Sequence, residues 1–310
     1  MEKLNIVSVN ISEAKGTIKK PVDEIELNDF GIQGDAHAGK WHRQISILGK
    51  ESIDKMELSA ERKLNFGIFA ENITTEGFLV YKMKPLDRLS SGNILLEVTQ
   101  IGKKCHGERC TIFKETGECV MPKEGIFCRV IRGGKLKARD TLNYHPKIVT
   151  VQIITMSDRA STGVYEDKSG PLLKKLCADF LSEEGRYSNI EITILPDDAA
   201  QLNNLVRRLV NENTDIIFTT GGTGIGPRDI TPDVVKPILE KEIPGIMEMI
   251  RMKYGTQFPN ALVSRSIAGV AGKTLIYTLP GNPKAVKEYA DEIFKTLEHS
   301  FRMLHEIDMH

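Results

Sequence analysis

The sequence predicts two domains of different class. An N-terminal, mainly β domain of barrel type covers 1–145, and a C-terminal α/β three-layer domain with a mostly parallel sheet covers 146–310. Three observations carry this. At 310 residues the chain is longer than one average domain. Its first half is a series of short apolar segments cut by Gly and Pro, with a single helical start. From 147 onward the rhythm changes to apolar strands alternating with amphipathic helices.

In the first half, IVSVN (6–10) alternates as a half-buried strand, and KGTIKKPVDEIEL (15–27) reads as strand and turn. A Gly-rich loop, GIQGDAHAGKWHR, leads into a strand at 44–48, and ILGKESIDKMELSA carries the one helical start. ERKLNFGIFAENITTEG (61–77) reads as loop with a short apolar segment. ILLEVTQIG (94–102) is a strand, and CRVIRGGKLKARD (128–140) reads as strand, Gly-Gly turn, strand. Many short strands with turns predict a barrel. Pro146 favours an extended connection, which sets the boundary.

In the second half, KIVTVQIITM is a continuous apolar strand. SGPLLKKLCADFLSEEG (169–185) is an amphipathic helix in which Cys177 falls on the packing side. Strands at 191–198 and 215–220 flank a helix at 199–212. A helical stretch at 231–255 is broken at Pro237 and Pro244, and TLIYTLPGNPKAV runs from a strand into the closing helix. Alternation of this kind buries a parallel sheet under two helical layers, and such sheets bind ligands beyond the carboxyl ends of their strands.

Bulk properties exclude several classes. Forty-two basic against forty-two acidic residues give no global attraction to nucleic acid or anionic membrane. No apolar run approaches the ~20 residues of a membrane span, and MEKLNIVSVN lacks a signal-peptide core. A cytoplasmic protein is expected. Five cysteines, four of them between 105 and 128, argue for free thiols over a disulfide framework.

The polar residues gather at strand ends: Ser157-Asp158-Arg159, Pro196-Asp197-Asp198, the loop after 220, and Gly281-Asn282-Pro283-Lys284. The loop, TTGGTGIGPRDITPD, holds Gly221, Gly222, Gly224 and Gly226 among threonines, then Arg228, Asp229 and Asp233. One Gly-Gly pair would be a turn. Four glycines let backbone N–H groups approach an anion, and two acids beside phosphate imply a cation such as Mg²⁺. Thr231-Pro232 reads as an N-cap with Pro at the first helical position. The loop is neither a Walker A motif nor a dinucleotide fingerprint. Arg159, Arg228 and Lys284 supply charge for phosphate, so the set points to nucleotidyl or phosphoryl transfer.

In the first half, Asp35, His37, Trp41, His42 and Arg43 crowd one loop, and Cys105 lies in KKCHGERC among cations that favour a thiolate. No Cys-x-x-Cys pair supports zinc, and Cys119 and Cys128 read equally as inert buried thiols.

GIQGDAHAG, RQISIL, FAENITTEG, IGKKCH and EGIFCRVIRGG together resemble a MOSC domain over roughly 20–140. That resemblance implies a β-rich fold that binds molybdenum cofactor or carries sulfur on a cysteine, here Cys105, with His37 and Arg129 assigned to the same site. MSDRASTGVYEDKSG, LPDD, TTGGTGIGPRDITPD, PGIMEMIR, VSRS and LPGNPKAV, in order over 148–305, closely resemble the molybdopterin adenylyltransferase family of MogA/MoaB type, the fold of the gephyrin G domain. The resemblance implies that the terminal phosphate of molybdopterin attacks the α-phosphate of Mg-ATP. Asp197 and Asp229 then organise metal and transition state, and Gly221, Gly222, Thr223 and Gly224 cradle phosphate. Ser157, Asp158, Arg159, Arg228, Ser264, Arg265, Gly281, Asn282 and Lys284 bind substrate or nucleotide. It also implies trimers, and partners among other molybdenum cofactor biosynthesis proteins or molybdoenzymes. A carrier or sensor that holds the pterin without turnover is the alternative. A nucleotide hydrolase of the same fold is a third, which the MOSC domain argues against.

Overall fold

The computed structural model describes residues 2–104, 113 and 119–307. Cys105 and Cys110 lie outside them. The chain divides into two compact units, Met1–Lys147 and Ile148–Glu306.

The first unit is a closed seven-stranded barrel. Strands β1 (Lys3–Ile11), β5 (Ile45–Gly49), β6 (Ile73–Glu76), β7 (Arg88–Ser91), β8 (Ile94–Ile101), β9 (Ile126–Arg132) and β11 (Thr141–His145) run in the order β11-β7-β8-β9-β5-β6-β1, and β1 pairs back onto β11. Closure removes sheet edges, which is how short strands become stable. Alternate residues such as Leu4, Ile6, Ile45, Ile47, Leu96, Val98 and Ile126 point into one core. Helix α1 (Lys50–Ala60) and the turn α2 (Met121–Glu124) lie outside the barrel pattern.

One local reading is corrected. Gly133-Gly134 is not a hairpin turn: β9 pairs with β5 and β8, whereas β10 (Gly134–Lys137) leaves the barrel to pair with β3 (Glu24–Asn28). The reason for glycine is contact. A Cβ on Gly133 would sit 2.2 Å from the carbonyl oxygen of Leu27.

The second unit has one six-stranded sheet, in the order β13-β12-β14-β17-β16-β15. Strands β12 (Ile148–Met156), β13 (Tyr187–Leu195), β14 (Ile216–Thr220) and β17 (Thr274–Leu279) are mutually parallel. The sequence missed the antiparallel margin formed by β16 (Ala268–Ala271) and β15 (Lys241–Glu242). Helices α4 (Ser169–Glu183), α5 (Ala199–Asn211), α7 (Pro244–Gly255) and α8 (Pro283–Leu304) supply the outer layers, with Ile154, Leu202, Val206, Ile217 and Ile276 packed between one layer and the sheet. Cys177 is buried in α4, and burial pushes its thiol pKa up, so it is an inert packing residue.

Register fixes the functional edge. Thr155, Ile194, Thr220 and Leu279 lie in one row across β12, β13, β14 and β17. The residues that follow them therefore emerge together. β13 and β14 lie on opposite sides of β12, so the chain reverses direction across the sheet beside β12 and β14, where a crevice opens in such folds.

Candidate active site

A cavity of about 900 Å³ opens at this edge. It is lined by residues from all four parallel strand ends, among them Ser157, Asp158, Arg159, Asp197, Gly221, Gly222, Thr223, Gly224, Arg228, Asp229, Ser264, Gly281, Asn282 and Lys284. The structure thus brings together the second-half residues assigned to catalysis and to substrate or nucleotide binding, with one exception. Arg265 does not line the cavity.

Each side chain is held by local chemistry. Ser157 caps a short helix, α3 (Asp158–Ser161), its Oγ accepting from the Ala160 N–H at 3.2 Å. Asp158 joins three strand ends: its Oδ1 accepts from the Asp197 N–H at 3.0 Å, and its Oδ2 pairs with the Arg228 guanidinium. Burial raises the Asp197 carboxyl above the ordinary aspartate value, and the carboxylates of Asp158 and Asp229 add to this while Arg228 opposes it. Asp229 is placed by its own loop, with Oδ2 accepting from the Gly226 N–H at 2.8 Å and its N–H donating to the Gly226 carbonyl at 3.0 Å.

The glycine loop divides into two roles. Gly221 does not offer its N–H to a ligand, because that N–H donates to the Leu279 carbonyl at 2.9 Å. Gly221 instead makes the turn off β14, at φ +104°, where a Cβ would stand 2.3 Å from the Met156 carbonyl oxygen. The N–H groups of Gly222, Thr223 and Gly224 have no acceptor among the described residues. Thr223 is buried, so that cluster of donors requires an acceptor from outside the chain. Thr231 does not cap. The helix α6 (Thr231–Val235) starts one residue earlier in capping terms, at Ile230, and the Thr231 hydroxyl donates to the Gly221 carbonyl at 2.9 Å. Only five residues long, α6 contributes no useful dipole.

The long helix α8 contributes one. Asn282 caps it, Oδ1 accepting from the Ala285 N–H at 2.9 Å, and its N-terminus opens on the cavity. The Lys284 ammonium stands 3.5 Å from the Phe258 ring centroid, and Arg159 lies over Tyr165 at 5.6 Å.

Sequence reasoning missed a supporting network. The Asp167 carboxylate accepts from the Thr155 hydroxyl at 2.7 Å and from the Ser169 and Gly170 N–H groups at 2.9 and 3.0 Å. Ser169 in turn donates to the Gly281 carbonyl at 2.8 Å. An acid two residues before a helix start was the available signal. Phe258 and Tyr289, which also line the cavity, had none.

In the first unit a smaller cavity, about 150 Å³, is lined by His37, Trp41, Arg43, Ser46, Asn72, Lys103 and Phe127 among others. The buried Lys19–Asp35 pair, 2.5 Å apart, backs His37, whose N–H donates to Asp35 at 3.0 Å. Arg129 does not line this cavity. Its guanidinium grips Glu97 at 2.7 Å. The Cys105 assignment lies outside the described residues, and burial holds the Cys128 thiol un-ionised.

Glu71 lies fully buried in the same unit. Burial pushes its carboxyl up to about 7, against N–H groups of Gly67 and Phe69 and the Thr74 hydroxyl. A raised folded-state value means that stability is full below the unfolded value, near 4.5, and is lost as pH rises through about 7. The loss amounts to about 3 kcal/mol. Followed by fluorescence of Trp41, the chain's single tryptophan, the unfolding midpoint should fall between about pH 5 and pH 8, and Glu71→Gln should flatten that slope. An unchanged slope in the variant would place the titration elsewhere.

Comparison with known proteins agrees with this division. Sequence-family models match a probable molybdopterin binding domain over 152–299 and a MOSC domain over 34–143. The molybdopterin adenylyltransferase of Helicobacter pylori J99 is 34% identical over 150 residues, covering 48% of this chain and 84% of that protein. That of Escherichia coli K12 is 35% identical over 139 residues, 44% of this chain and 70% of its own length. A solved structure of the tungsten cofactor synthesizing protein MoaB from Pyrococcus furiosus is 31% identical, covering 51% of this chain and 98% of that one, at a TM-score of 0.45. Through its second half the chain belongs to the molybdopterin adenylyltransferase family, and that half is fused to a MOSC domain.

Proposed function

We propose that the second unit, entered at about residue 146, transfers the adenylyl group of Mg-ATP to molybdopterin. The observation that carries this is the meeting of Asp197, Asp229, three unpaired loop N–H groups and the α8 N-terminus around one cavity. An oxygen of the pterin's terminal phosphate attacks the α-phosphorus of ATP. The bond from that phosphorus to the bridging oxygen breaks, and pyrophosphate leaves with the electron pair. Gly222, Thr223 and Gly224 donate to phosphate oxygens, and Asn282–Ala285 presents the helix N-terminus to a second set.

Two hard carboxylates that share a cavity with phosphate suit Mg²⁺, which takes one or two protein carboxylates and completes its shell with substrate oxygens and water. The Asp197 carboxylate meets the backbone N–H of Asp158 and Asp229 keeps Oδ1 open, so these two would hold the ion. When bound, it would neutralise charge on the transferring phosphate. Arg228, tied to Asp158 by an exposed ion pair, is free to turn toward phosphate at little cost.

For the first unit we propose that the His37 cavity, with Cys105 in the segment beyond Lys103, receives molybdenum cofactor or carries sulfur. Fusion would hold a labile product near its next site. Trimeric assembly, a cytoplasmic setting and exchange with other cofactor-biosynthesis proteins or molybdoenzymes belong to the same reading. Among the described residues no helix is long and apolar enough to cross a membrane. The test is α-labelled ATP with Mg²⁺ and molybdopterin: the label should move to the pterin. Tight pterin binding without transfer would leave the carrier reading in its place.

A further inference from the structure

We propose that Arg265 is the positioning residue of this site: it touches no substrate, and its guanidinium fixes the shape of the 223–229 loop and so the place of the Asp229 carboxylate. The inference rests on the adenylyl-transfer reading of the cavity.

Four contacts converge on this one residue. Its backbone N–H donates to the Thr223 carbonyl at 2.8 Å. Its Nε donates to the Gly224 carbonyl at 2.7 Å, one terminal nitrogen donates to the Asp229 carbonyl, and the other pairs with the Asp233 carboxylate at 2.7 Å. The two ends of the loop are thereby tied to a single planar group. Between those ends the loop is held mainly to itself, through the Gly226–Asp229 turn. The turn orients the Asp229 carboxylate within the loop, and Arg265 orients the turn within the protein.

The post on which Arg265 stands is rigid. Arg251 on α7 donates to the Ser266 carbonyl at 3.0 Å, and Tyr289 on α8 donates to Ser264 Oγ at 3.1 Å. The residues on either side of Arg265 are thus anchored to two long helices. Ser264 faces the cavity while Arg265 does not line it, so the guanidinium acts from behind the loop. Asp233 pairs with its charge, which makes it a poor phosphate ligand and a good clamp. Lysine could not replace it. A single ammonium cannot reach two carbonyls and a carboxylate in one plane, which a guanidinium fork does.

The guanidinium side chain is 37% exposed, so water can fill its place in Arg265→Ala and the fold should persist. Four readouts on the full chain decide the proposal. Turnover should fall about 100-fold, as expected when a reacting group is displaced by about 1 Å. The Mg²⁺ concentration for half-maximal rate should rise about tenfold, as when the support of a metal ligand is lost. Pterin affinity should stay within about twofold, because no contact to it is removed. Amide exchange in 222–230 should accelerate at least about tenfold with the rest of the unit unchanged. Arg265→Lys should resemble Arg265→Ala in all four. It replaces that variant if the alanine form does not fold. Asp233→Asn, which keeps both carbonyl bonds, should stay within about threefold of the parent rate.

Unchanged exchange in the loop, or weakened pterin binding at unchanged Mg²⁺ demand, would overturn the proposal and make Arg265 a ligand. If the parent protein transfers no adenylyl group, the reading of the cavity falls, and the exchange measurement still decides whether Arg265 holds the loop.

Discussion

Asp229→Asn should reduce adenylyl transfer by about 10²- to 10³-fold and leave the fold intact. The fold survives because the amide oxygen can still accept from the Gly226 N–H, now 2.8 Å from the carboxylate. The rate falls because a charge that holds the cation is gone from where phosphate charge is rearranged. Asp197→Asn should cost a similar factor. The double variant should lose little more than either single one, since two groups that serve one cation act as a unit. Pyrophosphate release measured on matched preparations tests this. A multiplicative loss in the double variant would show that the two acids act separately, and an unchanged rate in Asp229→Asn would remove the residue from the site.

Gly221→Ala should be the most damaging single change to the second unit. The added Cβ meets the Met156 carbonyl oxygen at 2.3 Å, and the backbone there, at φ +104°, is one that side chains rarely adopt. Neither atom can yield, because Met156 pairs with Leu195 in the sheet and the Gly221 N–H is bonded to Leu279. Strain and overpacking together should cost about 3 kcal/mol. In a unit of this size that lowers the melting temperature by about 10 °C. Any fold that survives should have Gly222 and Thr223 displaced and transfer lost with them. A melting curve within about 2 °C of the parent would contradict the packing argument.

How much of this was legible in the sequence depended on what each signal reports. Continuous apolar runs gave the parallel strands, and because strands that run parallel end on the same side of a sheet, their polar tails had to emerge on one edge. That edge held Asp197 and Asp229 among several acids, and the family resemblance singles out these two as the pair. Glycine was less legible, because one residue type answers several needs. Gly221 serves a turn, whereas Gly133 admits the backbone of Leu27. The direction of a polar side chain was not legible at all. Arg265 sits in a motif beside Ser264, yet one faces the cavity and the other the back of the loop, and only the bonds of Arg265 to the carbonyls of Thr223, Gly224 and Asp229 show which. Thr231 has the composition of a cap and spends its hydroxyl on Gly221 instead. Arg129 is assigned to the MOSC site by resemblance, and its guanidinium is drawn instead to the buried Glu97 directly opposite it on the neighbouring strand β8. The β15–β16 margin went unseen because AGVA is too short and too small to show a period.

The most direct test of the central claim is the stoichiometry of pyrophosphate release by the purified full chain from Mg-ATP. The account predicts one pyrophosphate for each molybdopterin added, none without the pterin, and none when Mg²⁺ is chelated. Tight pterin binding with no pyrophosphate under any of these conditions, or release that does not depend on the pterin, would contradict it.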